Sequence, residues 1–180
     1  MNFDSERLLY KEISWADLDF IHYLHSIKEV DEYNTLGIPE NLEETRNVLR
    51  PIIENQNSTD KKLYSWIIVK NTSNHSIGLS GLNLTGDRFK MGEIYFKLLP
   101  AYWGKGYATE TSRKLIEFGF NILKLHRIEA GVSTENIRSI KVLEKSGMIC
   151  EGIRRKILPI RGEWKDNFHY AILEDDQRDY

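Results

Sequence analysis

The sequence predicts one mixed α/β domain: a mostly antiparallel, seven-stranded sheet with a parallel pair near its centre and helices on both faces. Three observations carry that prediction. Strand-like runs with two-residue alternation fill the stretch from Tyr64 to Leu99. A helical-period segment, Ala108 to Ile122, stands between two strand-like segments, and the whole unit from Gly92 to Ser133 is long enough for a parallel crossover, which would be right-handed. No repeat, low-complexity tract or linker divides the 180 residues, so 1–180 is expected to be a single domain.

The elements follow in order. Residues 6–13, Glu-Arg-Leu-Leu-Tyr-Lys-Glu-Ile, form a first strand. Ser14-Trp15-Ala16-Asp17 resembles an acidic capping box, and a helix carrying Leu18, Ile21 and Leu24 follows it. Past Gly37-Ile38-Pro39 a second helix is expected at about 42–55, kinked or split by Pro51. Tyr64 to Lys70 is a strand ending in the turn Asn71-Thr72-Ser73-Asn74. Ile77 and Leu79 alternate in one phase and Leu82 and Leu84 in the other, which predicts a β-bulge at Ser80-Gly81. Gly86-Asp87 closes a hairpin onto a fourth strand, Gly92 to Leu99. In the next helix Ala108, Thr111, Leu115, Phe118 and Ile122 share an apolar face. His126 to Ser133 is the fifth strand, and Asn136 to Ser146 a helix stopped by Gly147. Two closing strands, about 149–158 and 164–173, flank a turn at 159–162, and the acidic tail Glu174-Asp175-Asp176 is expected to fray.

Composition removes several function classes. Hydrophobic residues at 41% and charged residues at 29% indicate a soluble, globular chain rather than a disordered one. A formal charge of −2 supplies no field for nucleic acid or for an anionic membrane. The start, Met1 to Arg7, lacks the apolar core of a signal peptide, and no apolar run approaches the ~18 residues of a membrane span. Cys150 is the only cysteine, so no internal disulfide forms, and a cytoplasmic location is the expectation.

The chemistry concentrates in Pro100-Ala101-Tyr102-Trp103-Gly104-Lys105-Gly106-Tyr107-Ala108-Thr109-Glu110, which joins a strand to an amphipathic helix. Two glycines one residue apart permit a tight turn and close backbone approach to a ligand. Amides at a helix N-terminus favour an anion, and a pyrophosphate is the natural occupant. A tight turn with nothing bound uses the same glycines. There is no Gly-x-x-x-x-Gly-Lys-Ser/Thr, so this is not a P-loop. Gly104 and Gly106, with Glu129 on the next strand, approach a dinucleotide fingerprint, but Thr109 replaces the third glycine and no second βαβαβ half exists.

The segment Tyr102 to Glu110 resembles the coenzyme A pyrophosphate loop of the GCN5-related N-acetyltransferases, within their ribosomal-protein N-terminal acetyltransferase branch. The resemblance continues through Glu6-Arg7-Leu8, His126-Arg127-Ile128-Glu129-Ala130, Asn136-Ile137-Arg138-Ser139, Leu143 to Met148, Glu151 to Arg154 and Gly162 to Asp166. It implies that the fourth and fifth strands splay apart around the pantetheine arm of acetyl-CoA, which pairs with backbone near Leu98 and Leu99. It implies that Trp103, Gly104, Lys105, Gly106, Tyr107, Ala108 and Thr109 hold the pyrophosphate, that Asn136 and Ser139 face the pantetheine and the sulfur, and that Glu93 is a base for the acceptor amine. The chain departs from the family at three positions. Ala101 stands where Gln or Arg is common, Leu143 where many relatives carry an acidic Tyr, and Tyr95 where the branch commonly has Gly. With Leu143 in place, Ser139 becomes the candidate acid for the leaving thiolate.

The implied reaction is direct attack of an amine on the thioester, with a backbone N–H near Leu98 as oxyanion donor and no metal. An α-amine of pKa ≈ 7.7–8.0 is roughly a tenth neutral at pH 7, a lysine-like amine near 10.4 about one in 2,500. An α-amine thus barely needs a strong base, which favours a protein N-terminus as acceptor. A polyamine, amino sugar or amino acid, a non-catalytic acyl-CoA-binding module and a dinucleotide site are the alternatives, and the chain is expected to act as a monomer or homodimer. The remaining candidates read more plainly. His22 and His25 belong to a solvated face, and His126 and His169 are structural. Cys150 packs in a strand, and Trp164, Asp166, Phe168, Tyr170 and Ile172 form a core face with Asp166 near the acceptor. The loop Val30-Asp31-Glu32-Tyr33-Asn34 resembles an acceptor-side loop.

Overall fold

The computed structural model describes residues 1–178 and 180. Among the described residues eight strands form one sheet: β1 (Phe3–Asp4), β2 (Leu8–Glu12), β3 (Leu63–Lys70), β4 (His75–Gly86), β5 (Met91–Leu98), β6 (Arg127–Ser133), β7 (Ile149–Ile160) and β8 (Glu163–Leu173). Their spatial order is β1-β2-β3-β4-β5-β6-β8-β7. Every neighbouring pair is antiparallel except β5 and β6. The strand beyond the expected seven is β1. It is two residues long and so carries no periodic signal. Phe3 holds it in place by stacking on Tyr10 (centroids 4.6 Å) and Phe118 (5.1 Å).

Among the described residues five α-helices accompany the sheet: α1 (Leu18–His25), α2 (Lys28–Asp31), α3 (Leu42–Glu54), α4 (Tyr107–Asn121) and α5 (Ile137–Lys145). Ser14 N–H donates to the Asp17 carboxylate (2.8 Å), which fixes the turn into α1. Helices α1 and α3 pack on β3 and β4 around Ile67, Val69 and Leu79. Helices α4 and α5 pack on the other face around Trp66, Ile68, Leu82 and Ile128. Because both faces of β3 are covered, it reads as a continuous apolar run. Helix α3 runs through Pro51 without a break and ends at Glu54, where Asn55 Nδ2 donates to the Pro51 carbonyl (2.8 Å). The proline removes one N–H bond, and the helix stops within a turn. Among the described residues no helix is long and apolar enough to cross a membrane.

The bulge in β4 is not at Ser80-Gly81. Pairing with β3 is regular there and slips at Ile77, so Ile77 and Leu82 face one core while Leu79 faces the other. Gly81 has a different reason. Tyr95, its partner on β5, lies across it and bonds Ser65, so that a Cβ on Gly81 would sit 2.3 Å from the Tyr95 ring. Ile122 lies past the end of α4 and is 54% exposed rather than in the core. The tail is ordered rather than frayed. Asp176 accepts from Leu173 N–H (2.8 Å), and Tyr180 O–H donates to the Ser146 carbonyl (2.9 Å).

Strands β5 and β6 pair only at Met91–Arg127, Gly92–Ile128 and Glu93–Glu129. Beyond Glu93 they diverge, and the gap between them is where the two cavities described next are built.

Candidate active site

Leu99 N–H donates to Ile77 O (2.9 Å). In an antiparallel ladder backbone groups alternate sides, so residues 95, 97 and 99 bond toward β4 while 94, 96 and 98 present theirs to the gap. Leu98 O accepts the Trp103 indole N–H (2.7 Å), which ties the loop to the end of β5. Leu98 therefore lies at the gap. Leu99 does not: its N–H is committed to β4, and its side chain packs in the α1–α3 core.

After a 3₁₀ turn at Pro100–Tyr102, Gly104 (φ +72°) and Gly106 (φ +81°) adopt the left-handed conformation. Gly106 caps α4, and no side chain caps that helix, so its first amides are unsatisfied donors. The loop is clamped from the N-terminal segment. Glu110 accepts from Ser5 Oγ (2.7 Å), Arg7 N–H (2.8 Å) and Arg7 Nε (2.7 Å), while Arg7 Nη1 donates to Lys105 O (3.0 Å). These bonds hold the Glu110 carboxyl below the usual carboxylate range although burial opposes them. The Lys105 ammonium turns back onto Ala101 O (2.8 Å) and leaves the loop's backbone, not its charge, facing the cleft.

A cleft of about 660 Å³ runs along this loop and is lined by Trp103, Gly104, Gly106, Tyr107, Ala108 and Thr109. Its other wall is α5, which contributes Arg138, Lys141 and Lys145. Sequence reasoning missed these three cations. Their i, i+3, i+7 spacing on a helix was the available signal. Arg138 also stacks over Trp103, 4.9 Å from the ring centroid.

A second cavity, about 420 Å³, lies beside Glu93, Gly131, Arg154 and Asn167. Phe96, Asn136, Ser139, Tyr33 and Asn34 line both cavities and so form their common wall. Asn136 is the N-cap of α5, its Oδ1 accepting from Ser139 N–H (3.1 Å). Among the described residues the Ser139 hydroxyl has no hydrogen-bond partner, nor has the Glu93 carboxylate. Glu129, directly across the parallel pair, is different: Arg127 Nε (2.7 Å) and His169 (3.2 Å) both engage it. Glu93 is thus the unpaired carboxylate at the second cavity.

The loop over this site is anchored by a buried cluster. Asp31 is 3% exposed and pairs with Arg161 (3.7 Å) from the β7–β8 turn. Its neighbours Val30, Glu32, Tyr33 and Asn34 line the larger cleft, as does Lys97. Burial pushes Lys97 down to about 8, with Asp31 opposing. His25, 3.5 Å from the Lys97 amine, is buried rather than solvated, and burial beside that cation pushes it down to about 3. His22 bonds Thr45 (2.8 Å). Asp166 lines neither cavity: its carboxylate accepts from Lys156 N–H (2.8 Å) and pins the irregular stretch of β7. Trp164, 62% exposed, and Cys150 lie at the surface rather than in packing.

With this geometry in view, the comparisons with known proteins are direct. Residues 7–149 match the model of the acetyltransferase (GNAT) domain. The N-acetyltransferase p20 of Bacillus licheniformis is 30% identical over 170 residues, 94% of each chain. The crystal structure of a GNAT-family acetyltransferase from Bacillus anthracis superposes with a TM-score of 0.85 at 31% identity, covering 98% of this chain and all of that one. Two more distant structures share the fold. One is the Vibrio cholerae spermidine N-acetyltransferase in complex with CoA and spermine (TM-score 0.82, 24% identity, 94% and 97% covered). The other is the ribosomal-protein-S5-alanine acetyltransferase of Vibrio fischeri (0.82, 23%, 99% of each).

Proposed function

Since the chain belongs to the GNAT acetyltransferase family and its chemistry is acetyl transfer, we propose that it moves the acetyl group of acetyl-CoA onto a primary amine by direct attack. The observation that carries this reading is the common wall of the two cavities. Asn136, Ser139 and Phe96 stand where a thioester entering from the loop side meets an amine entering from the Glu93 side.

In this reading the uncapped amides of residues 104–109 bind the pyrophosphate, and the gap-facing backbone groups of Phe96 bind the pantetheine arm, the Leu98 carbonyl being held by the Trp103 indole. Arg138, Lys141 and Lys145 add positive charge for the phosphates. The Asn136 amide nitrogen remains available to the arm, since only its oxygen is engaged in the cap. A backbone N–H at the gap, that of Leu98, polarises the thioester carbonyl. Glu93 removes a proton from the amine, and the Ser139 hydroxyl donates one to the departing thiolate.

An α-amine is the acceptor we place first, because a single free carboxylate suffices for a group that is already roughly a tenth neutral at pH 7. A polyamine is the second reading. Glu29 and Glu32 line the larger cleft, and a polycation has use for several carboxylates. The experiment is thiol release from acetyl-CoA with a panel of an N-terminal peptide, a linear polyamine, an amino sugar and an amino acid, each product weighed by mass spectrometry. An acetylated amine, 42 Da heavier by about one acetyl group, is the expected result on simple mass balance. Acetyl-CoA binding without transfer to any amine would reduce the protein to a binding module.

A further inference from the structure

Three buried side-chain oxygens among the described residues lack a hydrogen-bond partner: those of Ser80, Ser112 and Asn167. Of these, Asn167 lines the second cavity. It is 4% exposed, on β8, and faces the same side of the sheet as Glu93. A Cβ built on Gly131 would lie 3.2 Å from both Oδ1 and Nδ2 of Asn167 and 3.4 Å from Oε1 of Glu93. Carboxamide and carboxylate therefore converge over the bare face of Gly131. A buried carboxamide with an unpaired oxygen is costly, and an apolar residue of similar shape would fold without that cost. Such a group calls for an explanation, and a ligand is one. A half-turn of the amide exchanges its oxygen and nitrogen, so either atom can be the one turned to the cavity.

We infer that Asn167 positions the acceptor amine by taking one of its N–H groups while Glu93 takes the other, and so selects primary over N-alkylated amines. The inference rests on the acetyl-transfer reading above. A neutral primary amine has one lone pair and two N–H groups. The lone pair must aim at the thioester carbon, which leaves both N–H groups to find acceptors, and the cavity offers two. As the C–N bond forms and the C–S bond breaks, one proton passes from nitrogen to Glu93 and the thiolate takes a proton from Ser139, whose oxygen is reprotonated from solvent as Glu93 releases its proton to solvent. The remaining N–H of the new amide stays on the Asn167 oxygen. A secondary amine has a single N–H, which Glu93 needs. Its alkyl group then meets an unpaired carboxamide oxygen, and sites built to bond a missing N–H discriminate strongly.

The test compares wild type, Asn167→Leu, Asn167→Ser and Asn167→Asp on the best primary amine of the panel and on its N-methyl derivative, at saturating acetyl-CoA. Wild type is expected to prefer the primary amine by roughly 100-fold or more in kcat/KM. In Asn167→Leu the KM for the primary amine should rise at least about tenfold and the preference should fall below about tenfold. Asn167→Ser should lose the preference as well, Asn167→Asp should retain it, and acetyl-CoA affinity should stay within about twofold in all. The melting temperature of Asn167→Leu should equal or exceed that of wild type, since no hydrogen bond is lost. Unchanged preference in the Leu and Ser variants, or a marked loss of stability in the Leu variant, would overturn the inference and leave acetyl transfer intact. No turnover with any primary amine in wild type would overturn the acetyl-transfer reading, and this inference with it.

Discussion

At Asn136 and Ser139 two roles share a few atoms. The Asn136 oxygen caps α5 through the Ser139 amide, which leaves its amide nitrogen and one lone pair of the oxygen for a ligand. Ser139 keeps its hydroxyl for the common wall of the cavities. Ser139→Ala should lower turnover by up to about 10² at saturating substrates while acetyl-CoA affinity changes little. Asn136→Ala should do the reverse, and should also cost about 1 kcal/mol of stability through the lost cap. Steady-state rates, calorimetric affinity and urea denaturation on both variants separate these outcomes. Equal turnover in Ser139→Ala and wild type would make Ser139 a binding residue only. Lys97 shows a different residue-scale conflict. Its ammonium is held at about 8, below the 10.5 of a free lysine, chiefly by burial. Between those values the unfolded chain binds the proton more tightly, so this group's penalty is full below about pH 8 and fades as pH rises to 10.5. Lys97→Met should therefore be more stable than wild type at pH 7 by on the order of 2–3 kcal/mol, and the difference should shrink toward pH 10. A difference that does not vary with pH would show that the lysine carries no such penalty.

The elements owe their positions to patterns of two different ranges. The spacing of Leu18, Ile21 and Leu24, or of Thr111, Leu115 and Phe118, is visible within a few residues, and α1 and α4 form where it predicts them. The resemblance likewise locates the Gly104–Gly106 turn, because a φ near +75° needs glycine locally. What holds that turn was not legible. Glu110 belongs to the motif, yet its partners Ser5 and Arg7 lie more than a hundred residues earlier in the chain. Gly81 was misread for the same reason: its neighbour is a tyrosine on the next strand, not a residue of its own. Asn167 gave no periodic signal because it sits one step from Asp166, which the alternation of β8 made the more conspicuous candidate. The clamp has a measurable consequence. Glu110→Ala removes three accepted bonds at the start of α4, and should cost about 1–3 kcal/mol in urea denaturation. Acetyl-CoA affinity should fall several-fold by calorimetry while turnover at saturation holds, because the loop's amides are misplaced but the Ser139 wall is not. Unaltered affinity would mean the loop is set by its glycines alone.

For the whole molecule, the parallel pair is the organising defect. β5 and β6 are paired for three residues and then part, with α4 and α5 packed on one face of the sheet and α1 and α3 covering β3 and β4 on the other. The opening joins the cleft along the Gly104–Gly106 loop on one side to the cavity beside Glu93 on the other, and the proposed acetyl transfer needs both on one path. In the proposed reaction that path begins at the uncapped α4 terminus. Gly106→Val tests it most directly, since a branched side chain there meets both a left-handed backbone and the Arg7 guanidinium, 3.3 Å from the position of a Cβ. In wild type, amine-dependent thiol release should saturate with acetyl-CoA. In a folded Gly106→Val protein the acetyl-CoA affinity should drop at least tenfold, about 1.4 kcal/mol, with amine-dependent release falling in step at subsaturating cofactor. Undiminished affinity and release in that folded variant would contradict the account.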